Sequence, residues 1–60
     1  MSRSLTPIIK RFGAKRLKGD GFTQRIQFSN NGDAQRAVFE ISSSTGRECW
    51  GHGNIVEVLK

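Results

Sequence analysis

The stretch Asp33-Ala34-Gln35-Arg36-Ala37-Val38-Phe39-Glu40-Ile41-Ser42-Ser43 decides what this 60-residue chain becomes. Two periods compete in it. With a period of 3.6, Asp33 caps a helix, and Ala34, Ala37, Val38 and Ile41 fall at i, i+3, i+4 and i+7 on one face. Residues 42–45 then fray its end, and Gly46 supplies a left-handed C-terminal cap. With a period of two, Ala37, Phe39 and Ile41 alternate, and Asn31-Gly32 becomes a hairpin turn. Phe39 suits the strand, whereas Ala34, Ala37 and Val38 suit the helix. The helix is preferred, because a lone sheet needs a cover for its apolar face.

Downstream, residues 47–59 (RECWGHGNIVEVL) read as a β-hairpin turned by Gly51-His52-Gly53-Asn54. Pairing Trp50 with Ile55 would set Glu48 opposite Glu57, a destabilising like-charge pair. Shifting the register by one, with a glycine bulge, avoids it. Trp50, Val56 and Val58 then share the face under the helix. Cys49, Ile55 and Leu59 take the other face, beside Arg47 and Glu57.

Upstream, residues 22–28 (FTQRIQF) alternate as a half-buried strand, with Phe22, Gln24, Ile26 and Phe28 on one side. Before it, residues 13–21 (GAKRLKGDG) are basic and glycine-rich, and Lys18-Gly19-Asp20-Gly21 signals a turn. Residues 5–12 (LTPIIKRF) admit two readings. Thr6-Pro7 can open a helix with Leu5, Ile8, Ile9 and Phe12 on one face. Ile8-Ile9 favours a short strand, which Pro7 confines to an edge or to its first residue. The strand is preferred. Residues 1–4 are polar and read as frayed. The expected fold is one small α+β domain: an antiparallel sheet of about four strands in the order ββαββ, covered by one helix. An all-β small barrel is the alternative.

Sixty residues bury too little surface for a deep substrate cavity, and a homodimer would remedy so small a core. A single cysteine forms no internal disulfide, which fits a reducing cytoplasm. No apolar run is long enough to span a membrane or to act as a signal peptide.

The titratable residues argue against catalysis. Cys49 and His52 are the only soft metal ligands, and a structural zinc site wants four. On one extended strand they point to opposite faces, which also opposes a nucleophile–base pair. The five acids are scattered, with no pair for acid–base work. Gly19-Asp20-Gly21 and Gly51-His52-Gly53 are too short for phosphate-binding loops. No enzyme, cofactor or metal is expected.

Charge is the strongest functional signal. The net charge is +5. Residues 1–28 hold seven basic side chains against Asp20 alone, while residues 29–60 hold three against four acids. Lys10, Arg11, Lys15, Arg16, Lys18 and Arg25 would gather on one side if residues 8–12 paired with residues 22–28. Such a set suits a polyanionic partner, and its bland alternative is a solvated face that keeps the protein soluble. Phe12 and Phe39 are the aromatics best placed to be free for a partner, and His52 reads as an exposed turn residue. Trp50 reads as core. No run matches the sequence signatures of RNA-recognition sheets or helix-turn-helix proteins, so base-specific readout is not expected.

The order of elements resembles small phage-encoded anti-CRISPR proteins. Ile8-Ile9-Lys10, Thr23-Gln24, Asp33-Ala34-Gln35-Arg36-Ala37 and then Cys49 with Gly51 carry the likeness. It looks like the type that binds the backbone subunit of a type I surveillance complex. The resemblance implies a non-enzymatic inhibitor with a curved sheet under one helix, whose basic side chains contact protein or DNA held by the target in the host cytoplasm. The functional expectation is thus a small basic binding protein acting on nucleic acid or on a nucleic-acid-handling complex, as a phage-type inhibitor of host machinery. A sequence-independent DNA- or RNA-binding module and an oligomer-forming structural protein are the alternatives.

Overall fold

A computed structural model describes residues 5–60. The fraying expected at residues 1–4 lies outside them. In chain order the elements are α1 (Thr6–Phe12), β1 (Lys15–Leu17), β2 (Thr23–Gln27), α2 (Asn31–Thr45), β3 (Cys49–His52) and β4 (Ile55–Leu59). The sheet runs β1-β2-β4-β3 with every neighbouring pair antiparallel. Two hairpins are therefore joined through α2, and each supplies one central and one edge strand. The fold is α+β, as expected, and the all-β barrel is set aside.

The deciding stretch is helical. Its start differs from expectation: Asn30 is the N-cap, and its side-chain oxygen accepts from Asp33 N at 2.8 Å. Asp33 thus stands inside the first turn, where a negative charge complements the exposed N–H groups. Ala34, Ala37, Ile41 and Thr45 are buried along one face. The helix runs on through residues 42–45 because Thr45 is satisfied internally, its hydroxyl donating to Ile41 O at 2.7 Å. Gly46 ends it with φ +69°, its N–H reaching Ser42 O. Only glycine adopts that conformation without a steric penalty.

The N-terminal element corrects the sequence reading. Residues 6–12 form a helix, so two helices rather than one belong to the fold. Leu5 and Ile8 are buried, and Ile9 and Phe12 pack against the same core. The i, i+3, i+4, i+7 face has prevailed over the β-propensity of Ile8-Ile9. Gly13, at φ +64°, closes the helix by donating to Ile9 O and Lys10 O. The first strand is instead Lys15–Leu17, inside the segment read as loop. It pairs with β2 through Arg16↔Ile26.

The core lies between the sheet and the helices. Ile26, Val56 and Val58 from the central strands meet Ala34, Ala37 and Ile41, all fully buried, with Phe28, Leu5 and Ile8 completing the cluster. The two alanines let α2 approach the sheet closely. Phe12 meets Phe28 edge to face at 5.6 Å, which ties α1 to the end of β2.

The closing hairpin takes a register not anticipated. His52 pairs with Ile55 and Trp50 with Glu57, leaving Gly53-Asn54 as a two-residue turn. Gly53 has φ +63°, as a type II′ turn requires at its first central position. Glu48 is still kept from facing Glu57. Asn54 pins the turn to β2, accepting from Phe28 N and donating to Phe28 O. Directly paired residues share a face. Cys49 and Gly51 therefore lie with Val58 and Val56 under α2, and Trp50 goes to the opposite, open face.

Candidate nucleic-acid interface

The open face of the sheet carries two rows that cross all four strands. One is Leu17–Arg25–Glu57–Trp50, and the other is Lys15–Gln27–Ile55–His52. Each row spans three interstrand gaps, about 14 Å at the usual strand spacing. Glu57 is the hub. Arg25 Nε donates to its Oε1 at 2.9 Å, and Trp50 Nε1 donates to Oε2 at 2.7 Å. His52 Nε2 lies 3.3 Å from the same Oε2. These contacts, Arg25's first and then Trp50's, hold the Glu57 carboxyl below its ordinary pKa.

The six basic residues do not form one surface. Lys15 and Arg25 share the open face. Arg16 lies on the other side of β1, where its Nη1 donates to Gln24 Oε1 at 2.9 Å. Lys10 and Arg11 occupy the last turn of α1, where cations favour the helix dipole. Arg11 also forms an ion pair with Glu40 of α2 and sits 5.5 Å from the Phe12 ring centre. Lys18 stands in the β1–β2 loop. Among the described residues, Lys10, Lys15, Arg16 and Lys18 have no acidic partner.

Asp20, the acid of that loop, is committed to its geometry. Its Oδ1 accepts from Phe22 N and Thr23 N, both at 2.8 Å, and from the Thr23 hydroxyl at 3.1 Å. The backbone donors come first in lowering its pKa, followed by the hydroxyl. Gly19 is required here, because a Cβ at that position would stand 2.1 Å from Thr23 O. The loop that displays Lys18 is therefore a defined turn. Beside it an open depression is lined by Arg16, Leu17, Gly19, Thr23, Gln24 and Lys60.

The remaining candidates divide. Phe39 is 76% exposed on the outer side of α2, and Phe22 is 79% exposed ahead of β2. Phe12 is half-buried against Phe28. His52 is an exposed strand residue rather than a loop residue. Cys49 is turned inward, its Sγ 3.3 Å from Val38 O, and burial raises its thiol pKa. Cys49 and His52 thus project to opposite faces, and no group of three His, Cys, Asp or Glu comes together among the described residues.

Sequence reasoning missed Trp50 and Glu57 as partners on an open face. The available signal was Gly53-Asn54, which alone closes a two-residue hairpin and fixes the register. No protein-family model, no curated protein and no solved structure matches the chain. No helix among the described residues is long and apolar enough to cross a membrane.

Proposed function

We propose that this chain is a non-enzymatic basic binding protein whose partner is nucleic acid, free or held within a nucleic-acid-handling complex. One observation carries the reading: Lys15, Arg16 and Lys18 project from an edge strand and its loop with no acidic partner among the described residues. The nearest acid in sequence, Asp20, is held by backbone N–H groups. Lys and Arg so displayed attract phosphate without reading sequence. The likeness to phage-encoded anti-CRISPR proteins supports inhibition of host machinery as the setting, although its strand at Ile8-Ile9-Lys10 is here a helical turn.

The test is capture of partners from host lysate with the tagged protein, with and without nuclease, alongside Lys15→Glu and Lys18→Glu. Loss of the captured material on nuclease treatment and on charge reversal is the expected result. A stoichiometric protein complex that survives both would place the partner's recognition elsewhere on the molecule.

A further inference from the structure

The outer side of β3, one of the two edge strands, is open. Leu59 N–H donates to Glu48 O at 2.9 Å, which makes these two a hydrogen-bonded pair. Bonded and non-bonded pairs alternate along an antiparallel ladder. Trp50–Glu57 and His52–Ile55 are therefore bonded pairs, and Cys49–Val58 and Gly51–Val56 are not. The N–H and C=O groups of Cys49 and Gly51 accordingly point away from β4, out of the sheet edge. No described residue hydrogen-bonds them. The opposite edge, β1, is short and displays Lys15 and Arg16, charges that discourage strand pairing. β3 holds no Lys, Arg or Pro.

The sequence of this edge selects its partner. Place a second copy antiparallel to it, with a two-fold axis at Trp50. Cys49 then stands opposite Gly51, and the outward groups of both copies exchange four backbone hydrogen bonds. Trp50 meets Trp50 at the axis, in the non-bonded position where Cα atoms stand about 4.5 Å apart and side chains are closest. Both rings lie on the open face, where an aromatic pair is favourable. Two residues away on either side, Glu48 faces His52 of the other copy. His52 Nε2 is turned to Glu57 of its own chain, which leaves Nδ1 for that glutamate. On the helix side Cys49 meets only Gly51, which has no side chain to clash. Moving the axis to Cys49 or to Gly51 would set Trp50 against Glu48 or His52 and lose both matches. The charges permit the approach: Arg25 and Arg47 offset Glu57 and Glu48 at this end of the sheet. Lys15, Arg16 and Lys18, which lack an acidic partner among the described residues, belong to the far edge and its loop. We infer that β3 is a homodimer edge, which joins two four-stranded sheets into one continuous antiparallel sheet with Trp50 against Trp50 on the two-fold axis. The basic strand β1 stays free at each end of that sheet.

Five paired residues make a small interface, so a dissociation constant of about 10–100 μM is expected. Sedimentation equilibrium of the intact protein from about 10 μM to about 1 mM should show monomer and dimer and nothing larger, because a two-fold contact closes on itself. Trp50 is the only tryptophan, and its emission should move to shorter wavelength over the same range as the rings leave water. Trp50→Lys sets like charges together at the axis and should weaken the dimer about tenfold or more, with the circular dichroism unchanged. In a Cys49→Ser background, Trp50→Cys should oxidise to a linked dimer, whereas His52→Cys, about 14 Å from its counterpart, should not. A protein that stays monomeric at the highest concentration overturns the interface, and so do assemblies larger than a dimer. A dimer with unchanged emission, a dimer that Trp50→Lys leaves intact, or linking at His52→Cys as efficient as at Trp50→Cys overturns it as well. Should a variant fail to fold, the sedimentation and emission of the wild type decide the question.

Discussion

Glu57 sits where one carboxylate holds Arg25, Trp50 and His52 on a surface that water reaches from one side only. Its depressed pKa links the arrangement to pH. The folded form favours the carboxylate, so its stabilisation is present above the unfolded value of about 4.3 and is lost as pH falls through the lower folded value. Asp20 acts with the same sign, through the backbone donors of Phe22 and Thr23. Thermal unfolding followed by circular dichroism should show a midpoint that is level from neutrality to about pH 5 and falls below it. Glu57→Gln and Asp20→Asn should each lower the neutral-pH midpoint and weaken the acid dependence. Cys49 titrates the other way, since burial raises its thiol. An aromatic disulfide reagent at neutral pH should modify it more slowly in the folded protein than in denaturant.

At the level of elements, α2 was legible because its buried positions repeat at helical spacing, and two local signals bound it: Gly46 as read, and Asn30 where Asp33 had been read as the cap. Removing either signal should be measurable. Asn30→Ala takes away the acceptor for Asp33 N and should cost about 1 kcal/mol in urea unfolding. Gly46→Ala forces a Cβ into the left-handed region and should cost about 1–2 kcal/mol, with open space around it to exclude a clash as the cause. The other elements were less readable for identifiable reasons. At residues 5–12, apolar spacing and β-propensity pointed opposite ways, and tertiary contact with Phe28 and the core favours the helix. β1 has three residues, two of them charged and exposed, and becomes a strand through its pairing with β2 rather than through its own composition. The closing hairpin was recognised as a hairpin, but its face assignment depended on which glycine turned it. The expected one-residue shift with a bulge would have put Trp50 on the face of Val56 and Val58; the regular pairing of Trp50 with Glu57 sends it outward and leaves the two valines in the core. The candidate site therefore came through only in part: the basic residues were named, and the face that organises Lys15 and Arg25 was not.

For the whole molecule, stability and charge set the terms. Domains of this length carry roughly 3–9 kcal/mol of stability, and truncating a fully buried isoleucine costs about 2–5 kcal/mol. Ile41 is fully buried at the centre of α2's inner face, so Ile41→Ala should remove a large share of that stability, seen as a strongly lowered urea midpoint. The net charge of +5 works against this small core by self-repulsion, and a polyanion that neutralises it should raise the unfolding midpoint. The most direct test of the account is the salt dependence of binding to a single-stranded oligonucleotide. With Lys15, Arg16 and Lys18 on phosphates, the logarithm of affinity should fall against the logarithm of salt with a slope of about −2. In the Lys15→Ala, Lys18→Ala double variant the slope should shrink to about −0.7. An affinity that does not change with salt, or a slope that the double variant leaves unaltered, would contradict it.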